Sequence, residues 1–417
     1  MKAGKCNSEF RLSLLALLLS VAAGCGKPPQ PPTTSERPPE PSPAEATKND
    51  IKALSPIKIG VAGPMTGSGA AFGEMIRNAA LLKVKEVNGA GGINDLLVKL
   101  VIEDDRGNTL EATNVARKLA GDEQISIIIG HFNSTCSIAA RDTYNRKGVV
   151  EFSPGSTNVT VCKGSEWTFR NLYRDDYQGT FLAHYAKKKL GVTKVAVFYD
   201  NDDYGKGLMK SFVDEAKNIG LEVVASESYI RERDQDFKAP LTKIKALKPD
   251  AIFISGLYNE AALITKAAKI DLGMTVTILG ADGVMSPGFV DVGGEATNGT
   301  FVTTPFLFTG GSDSDEAKKF FSAFKEAYGK EPDTWAALTY DAIGMAIEAI
   351  REVGPDRKKI KDWFAACTSE EKAYTGVTGK TYFNEDGDCY SKPAHVAIVT
   401  NGKFVPAEKQ LSPEEMK

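Results

Sequence analysis

The sequence predicts an α/β protein with two lobes, each built on a doubly wound parallel sheet. Three observations lead to this prediction. Short apolar segments alternate with amphipathic, helix-like segments from Pro56 onward. The apolar segments are nearly continuous, which is typical of strands that are covered on both faces. The alternation starts again at Lys194, and a chain of 417 residues is long enough for two such bodies.

The first set of elements begins directly after Pro56 and has the order of repeated β-α units, which places consecutive strands in parallel. Short apolar runs mark the strands, and apolar residues at helical spacing mark the helices between them. The predicted strands are residues 57–62, 98–103, 126–130 and 149–153. The predicted helices are residues 74–88, 110–120 and 141–147.

The second set repeats the pattern and ends in a short tail. Its predicted strands are residues 194–199, 222–226, 251–255, 277–279 and 299–303. Its predicted helices are residues 204–219, 240–247, 259–271, 315–328 and 335–353. In the tail, residues 380–383 and 396–400 are predicted as strands, and Asn401-Gly402 predicts a hairpin turn.

The N-terminus has the layout of a secretory signal peptide. Three basic residues precede an apolar run over residues 12–23, which is too short for an ordinary membrane span. The run ends in Ala22-Ala23-Gly24-Cys25, which resembles a bacterial lipobox and predicts a lipoprotein signal peptide over residues 1–24 with lipidation of Cys25. Ordinary cleavage near Ala23 is the alternative. Residues 25–54 are rich in proline and predict a semi-rigid tether.

Four cysteines remain after removal of this segment and of the lipidated residue. An even number in an oxidising compartment predicts disulfides. Because the members of each pair are near in sequence, we expect Cys136–Cys162 and Cys367–Cys389. Four free thiols are the alternative.

Composition and motifs exclude several functions. The chain has 51 basic and 54 acidic residues, so it lacks the basic excess of a nucleic-acid-binding protein. With three histidines and no Cys-x-x-Cys pair, no metal site is expected. No nucleophile–base motif indicates an enzyme, and no catalytic residue is assigned. The glycines at Gly67, Gly69 and Gly73 are one residue too widely spaced for a dinucleotide fingerprint, so no cofactor is expected.

Two loops that follow predicted strands of the first lobe are candidates for an anion site. Phe132, Asn133 and Ser134 follow one strand and open a helix, and Gly155 and Thr157 follow the next strand. Hydroxyl groups and free N–H groups at a helix N-terminus suit a carboxylate. Plain helix capping is the alternative.

The complementary residues of the second lobe follow its own strands. Asp282 follows a strand and could pair with an ammonium group, although an aspartate before glycine is also typical of a turn. Aromatic residues occupy the same strand-end or helix-start positions, where core packing is their alternative role. They are Tyr204 and Tyr258 in the second lobe, and Phe72, Phe132 and Trp335 in the first.

Several segments together resemble the periplasmic branched-chain amino-acid-binding proteins of ABC importers, the Leu/Ile/Val-binding family with the type I periplasmic binding fold. The resemblance covers nearly all of residues 56–405. It rests on Ile57-Lys-Ile-Gly-Val-Ala-Gly-Pro-Met-Thr-Gly, Asn88-Gly-Ala-Gly-Gly-Ile-Asn, Glu103-Asp-Asp, Ile129-Gly-His, Ser153-Pro, Tyr199-Asp-Asn-Asp-Asp-Tyr-Gly-Lys-Gly and Tyr374-Thr-Gly-Val-Thr-Gly-Lys-Thr-Tyr-Phe-Asn-Glu-Asp-Gly-Asp.

The resemblance implies roles for the candidate residues. Ser134 and Thr157, with the backbone near Gly155, match positions that hold the ligand's α-carboxylate. Asp282 matches the acid, usually glutamate, that pairs with the α-ammonium. Tyr204 and Tyr258 match second-lobe aromatics. In the family, tyrosine is common at the position of Phe72, and a smaller aromatic residue is found at the position of Trp335. Both differences from the family concern the pocket for the ligand's side chain.

The same resemblance implies discontinuous lobes joined by a three-strand hinge. Lobe one would comprise residues 56–172 and 304–378, and lobe two residues 173–303 and 384–410. The implied function is that of a periplasmic, membrane-anchored lipoprotein, expected to be a monomer, which captures an apolar or aromatic amino acid for an ABC transporter permease. Two alternatives are a sensory module for a signalling partner and uptake of a non-amino-acid ligand such as an aromatic acid, amide or urea.

Overall fold

Five parallel strands form the first sheet of the protein. The computed structural model describes residues 56–310 and 313–416. The strands are β1 Ile57–Gly63, β2 Val98–Asp104, β3 Ile125–Ile129, β4 Val150–Ser153 and β5 Thr168–Arg170, in the order β2-β1-β3-β4-β5. The central strand β3 is buried along its whole length, whereas the edge strand β2 is mostly half-buried. The continuous apolar sequence of β3 therefore reflects its position between two layers of helices.

The second sheet has seven strands and is mixed. Its strands are β6 Lys194–Asp200, β7 Glu222–Tyr229, β8 Ala251–Ser255, β9 Thr277–Gly280, β10 Phe301–Thr304, β13 His395–Thr400 and β14 Lys403–Pro406. The order is β14-β13-β10-β9-β8-β6-β7, with the C-terminal hairpin antiparallel to β10 and the other neighbours parallel. The predicted Asn401-Gly402 turn closes this hairpin, and both residues have the positive φ that such a turn requires. A separate pair, β11 Tyr374–Gly376 and β12 Gly379–Thr381, lies outside both sheets.

Helices cover both faces of the sheets. They are α1 Ala70–Gly89, α2 Thr109–Gly121, α3 Ser134–Lys147, α4 Asp175–His184, α5 Asp203–Asn218, α6 Lys238–Ala246, α7 Tyr258–Lys266, α8 Pro287–Gly293, α9 Asp315–Tyr328, α10 Thr334–Val353 and α11 Arg357–Ala366. Adjacent residues of β3 show the two layers: Ile128 belongs to the core formed with α2 and α3, while Ile129 belongs to the larger core on the opposite face. The predicted two-sheet α/β fold is confirmed.

The structure differs from the sequence prediction at element ends and in segments where no element was predicted. The helix predicted from residue 74 begins at Ala70, and the helix predicted from residue 141 begins at Ser134. Strands β5 and β11 and helices α4, α8 and α11 were not predicted. The signal peptide, Cys25 and the tether lie outside the described residues. Within the described part of the chain, no helix has the length and apolar character needed to cross a membrane.

The prediction of two disulfides is wrong, because all four cysteines are buried free thiols. The thiol of Cys136 lies in the electrostatic surroundings of Asp105 and Arg231, whereas that of Cys162 lies beside Arg170 and Asp388. In the other predicted pair, Cys367 donates to the carbonyl of Trp363 at 3.4 Å, and the Cys389 sulfur lies 3.2 Å from the Ser391 hydroxyl. In neither predicted pair are the two sulfur atoms bonded to each other.

Candidate functional site

A small cavity lies where the C-terminal ends of strands from both sheets meet. The free space inside it is about 10 Å³, enough for about one water molecule, so a larger ligand requires the two halves of the site to move apart. The first-sheet side contributes residues that follow β3 and β4 and the start of α10, and the second-sheet side contributes residues that follow β6, β8 and β9. The lining residues are Phe132, Asn133, Ser134, Gly155, Tyr204, Leu257, Asp282, Gly283 and Trp335.

The Ser134 hydroxyl forms one end of the cavity. Ser134 opens α3, and its Oγ accepts hydrogen bonds from the backbone N–H groups of Thr157 and Asn158, both at 3.1 Å. A hydroxyl oxygen has two lone pairs and one proton, so these two bonds leave only the proton for a ligand. Ser134 can therefore donate to an anionic group at the N-terminus of α3, where the helix dipole also favours negative charge.

A buried carboxylate forms the other end of the cavity. Asp282 follows β9 in a single 3₁₀ turn and is 1% exposed. The Tyr204 hydroxyl donates to Asp282 Oδ1 at 2.6 Å and accepts from the Gly283 N–H at 3.1 Å. Asp282 Oδ2 has no partner at hydrogen-bonding geometry within the described residues. Burial raises the pKa of Asp282 to about 6, although the hydrogen bond from Tyr204 acts in the opposite direction. No cation of the described part of the chain pairs with this carboxylate, and a ligand ammonium group would supply one.

Four aromatic side chains pack together beside the cavity, and we call them the aromatic cluster: Phe72, Phe132, Tyr258 and Trp335. Phe72 stacks on Phe132 with ring centroids 4.4 Å apart, and its ring meets the edges of Tyr258 and Trp335 at 5.0 and 5.9 Å. Trp335 meets Phe132 edge to face at 4.9 Å. All four rings are at least nine-tenths buried. Phe132 and Trp335 of the cluster line the cavity, so this part of its surface is apolar and suits an uncharged part of a ligand.

The structure brings the ten predicted site residues to one region, but only seven of them line the cavity. Phe72 and Tyr258 lie behind Phe132 in the aromatic cluster. Thr157 is buried beside the cavity and donates its N–H to Ser134. Gly155 is required for the packing, because a Cβ at this position would lie 2.3 Å from the Phe132 ring. The alternative roles of helix capping and core packing therefore apply to part of the set.

Sequence reasoning missed three residues at or near the site. Leu257 and Gly283 line the cavity, and they carried no signal beyond their position after predicted strands. Asp175, the first residue of α4, is completely buried, and its N–H donates to the Thr157 carbonyl at 2.9 Å. Because α4 itself was not predicted, nothing in the sequence pattern placed Asp175 near the site.

A buried ion cluster supports the loop that contains Thr157. Arg170, at the end of β5, donates through Nη1 to the carbonyls of Ser156 and Asn158, each at 2.9 Å. Its Nε donates to Asp388 Oδ1 at 2.7 Å, and Arg174 donates to Asp388 Oδ2 at 3.0 Å. The side chains of Arg170 and Asp388 are 0% and 3% exposed. The cluster connects the loop to the C-terminal segment and so fixes one wall of the site.

Hydrogen bonds across the cleft hold the two halves of the site together. Trp335 Nε1 donates to the Met285 carbonyl at 2.9 Å, and Asn158 Nδ2 donates to the Asp203 carbonyl at 2.6 Å. At the surface, the Glu232 carboxylate accepts from the Ser68 N–H at 3.2 Å. Each bond joins an element of the first sheet to one of the second. The site is therefore seen with both of its halves in contact.

Comparisons with known proteins agree with this architecture. The family model described as "Periplasmic binding protein" matches residues 56–403. The Leu/Ile/Val-binding protein homolog 1 of Brucella suis is 31% identical over 339 residues, which are 81% of this chain and 88% of that protein.

Two solved structures are also similar. The branched-chain amino acid transporter substrate-binding protein LivJ from Streptococcus pneumoniae, solved with isoleucine, is 34% identical with a TM-score of 0.79, and the match covers 85% of this chain and 99% of that one. The leucine-binding protein LivK from Thermotoga maritima is 34% identical with a TM-score of 0.79, covering 86% and 99%. The resemblance seen in the sequence is confirmed: the chain belongs to the periplasmic binding protein family, of the type I branched-chain amino-acid-binding class.

Proposed function

We propose that this protein captures a small amino acid outside the cytoplasm and delivers it to an ABC permease. The observation that carries the proposal is the pairing of two groups across one small cavity: the Ser134 hydroxyl, with only its proton free, and the buried Asp282 carboxylate, which has no cationic partner among the described residues. An amino acid is the small molecule that presents a carboxylate and an ammonium group together. The named ligands of similar proteins, leucine and isoleucine, support this assignment.

Each predicted site residue then has a place in the proposed complex. Ser134, with Thr157 and the backbone at Gly155, holds the α-carboxylate, and Asp282, supported by Tyr204, holds the α-ammonium. Phe132 and Trp335 of the aromatic cluster, with Leu257 and Asn133, bound the ligand side chain, and Phe72 and Tyr258 pack in the same cluster. The family consists of substrate-binding proteins, and the proposed role likewise needs no chemical step on the ligand.

We also propose the location and organisation that the sequence predicts. The chain would be tethered to a membrane through lipidated Cys25 and the proline-rich segment, and would act as a monomer. Its two lobes, residues 56–172 with 304–378 and residues 173–303 with 384–410, would open around the three-strand hinge and close on the ligand, because only closure completes both ends of the site.

A thermal-shift screen of residues 50–417 tests the proposal. The panel contains the common amino acids with simple aromatic acids, amides and urea. A ligand at about a hundred times its dissociation constant should add about 2.7 kcal/mol to the free energy of unfolding, which raises the melting temperature measurably. A shift with an apolar amino acid supports the proposal. A shift only with compounds that lack an ammonium group would contradict it.

The surface contact between Glu232 and Ser68 predicts a modest effect on affinity. Glu232→Ala removes a charge-assisted bond that exists only when the two halves meet, so the closed complex should dissociate faster and its affinity should fall about two- to fivefold. Stopped-flow dissociation measures this rate. The control is Glu227→Ala on β7, which should leave the dissociation rate unchanged. Equal dissociation rates for Glu232→Ala and the wild type would show that the contact does not hold the cleft closed.

A further inference from the structure

We propose that a second cavity of the cleft binds a small organic cation with several N–H donors, such as an alkylguanidinium, and that this cation strengthens binding of the amino acid. The second cavity is distinct from the one that Ser134 and Asp282 line, and Asn133 contributes to the walls of both. The inference goes beyond the proposed function, and only its readout uses amino-acid binding.

The second cavity, which we call the polar cavity, lies between the two halves of the protein. The first-sheet half contributes loops that follow β1, β2 and β3, and the second-sheet half contributes residues at the ends of β6 and β7. Its free space is about 510 Å³, which is within the range of small-molecule sites. Gly67 and Gly69, which do not fit a dinucleotide fingerprint, belong to its wall. A molecule bound here would therefore contact both halves.

The first-sheet half supplies a buried acceptor. Asn133 is 7% exposed, and its Oδ1 has no hydrogen-bond partner among the described residues. This oxygen lies beside Gly107, where an added Cβ would come within 3.1 Å of it, and Gly107 also lines the polar cavity. A buried amide oxygen without a donor is costly, so this wall favours an occupant with N–H groups.

The second-sheet half supplies an excess of carboxyl groups. Asp200 is 3% exposed, and its Oδ2 lies 3.4 Å from Arg231 Nε without a partner at hydrogen-bonding geometry in the described part of the chain. Arg231 donates to Asp202 Oδ2 at 2.9 Å. Glu232 and Glu260 lie beside this group, and the Glu232 N–H donates to the Glu260 carboxylate at 3.1 Å. One guanidinium group is thus shared among four carboxyl groups.

The other charged groups nearby do not restore the balance. Arg106, the other arginine of the lining, has a side chain that is 66% exposed, and its Nε lies 3.9 Å from Asp104 Oδ2. The Arg233 side chain is 68% exposed and pairs with Asp234 at 3.2 Å. Over residues 56–310 and 313–416, no group of three His, Cys, Asp or Glu could hold a metal ion. An organic cation with several N–H donors therefore fits this wall better than a metal ion does.

A guanidinium group has the donors that both walls lack. It is planar, carries N–H groups along its edges and stays protonated at neutral pH. Donors on different edges would serve Asp200 on one half and Asn133 on the other. Because opening of the cleft separates these halves, the closed form would bind the cation more tightly than the open form. By linkage, the cation then raises affinity for the amino acid by the same factor as the amino acid raises affinity for the cation.

Isothermal titration with L-leucine at fixed ionic strength and rising methylguanidinium chloride tests the inference. The affinity of the wild type for leucine should rise about threefold when methylguanidinium reaches twice its dissociation constant. Tetramethylammonium has the same charge but no N–H group, and it should have no effect. Asp200→Asn should remove the response to methylguanidinium. The matched control is Asp214→Asn, whose side chain is 60% exposed on α5, and it should respond as the wild type does.

The outcomes separate this inference from the proposed function. Leucine binding that does not respond to methylguanidinium overturns the cation site and leaves amino-acid capture intact. An equal response to tetramethylammonium also overturns it, as does a response that persists in Asp200→Asn, because the effect then has another source. The comparison of the two cations on the wild type needs no variant, so a folding defect in Asp200→Asn does not prevent the test.

A lack of leucine binding would not end the test. The amino acid with the largest thermal shift then replaces leucine, and failure of all amino acids contradicts the proposed function itself. In that case direct titration of the wild type with methylguanidinium examines the polar cavity alone. Saturable binding that Asp200→Asn abolishes would support the cation site, and no binding would overturn it.

Discussion

Asp282→Ala is expected to weaken amino-acid binding by at least about tenfold. The carboxylate is 1% exposed and its Oδ2 has no hydrogen-bond partner in the described part of the chain, so a bound ammonium group would depend on Asp282 for a direct counter-charge. A tenfold loss corresponds to ~1.4 kcal/mol, which is a lower limit for an ion pair in a closed cleft. Losses of roughly 2–5 kcal/mol follow removal of one partner of a buried charge pair.

Isothermal titration of the wild type and the variant with the same amino acid measures this loss. Asp291→Ala is the matched control. Asp291 is an exposed aspartate on α8, shortly after Asp282 in the chain, and its replacement should leave affinity unchanged. Unchanged affinity in Asp282→Ala would remove the ammonium role from Asp282. A deamino analogue of the ligand provides a second check, since its binding should be much less sensitive to the substitution.

The second large effect is expected on stability, at the buried ion cluster. Asp388→Ala leaves Arg170 in the interior without its counter-ion, which costs about 3–5 kcal/mol of unfolding free energy. Denaturant unfolding measures the change. Glu385→Ala, at an exposed position three residues earlier, should stay within about 0.5 kcal/mol of the wild type. A loss in Asp388→Ala no larger than that in Glu385→Ala would show that the cluster does not stabilise the fold.

The same cluster predicts a pH dependence of stability. Burial alone would raise the pKa of Asp388, but the charges and hydrogen bonds of Arg170 and Arg174 hold it below its usual value. A carboxyl group whose pKa is lower in the folded protein contributes stability above its unfolded pKa and loses it as the pH falls through the folded pKa. Acid unfolding of the wild type should therefore be steeper than that of Asp388→Ala between about pH 5 and 2.

Much of the fold follows from local pattern. The helix over Asp315–Tyr328 was predicted with its observed ends, because a serine cap, a strong apolar stripe and a glycine mark it. Helix α3 was predicted seven residues late because its first residues, including Cys136 and Ser137, are small and buried and show no amphipathic spacing. Strand β5 has only three residues. Helix α4 is buried along most of its length, so no polar face marks it as a helix.

The sequence could predict those residues of the site that directly follow strands. Ser134, Gly155, Tyr204 and Asp282 all follow predicted strands, and the topology of parallel sheets brings such positions together. What the sequence could not supply is which of the candidates reach the cavity. Phe72 and Tyr258 are aromatic residues near strand ends, as Phe132 is, yet they pack in the aromatic cluster without lining the cavity. Only the packing of the three rings distinguishes them.

The hydrogen bond from Trp335 to the Met285 carbonyl gives the protein an optical reporter of its own closure. The chain contains three tryptophans, and Trp363 donates instead to Glu352 on the first-sheet side. Trp335 is 1% exposed and bonded across the cleft, so parting of the two halves would break its bond and admit water to the indole. Its emission should shift to longer wavelength on opening, which allows capture and release to be followed without an attached dye.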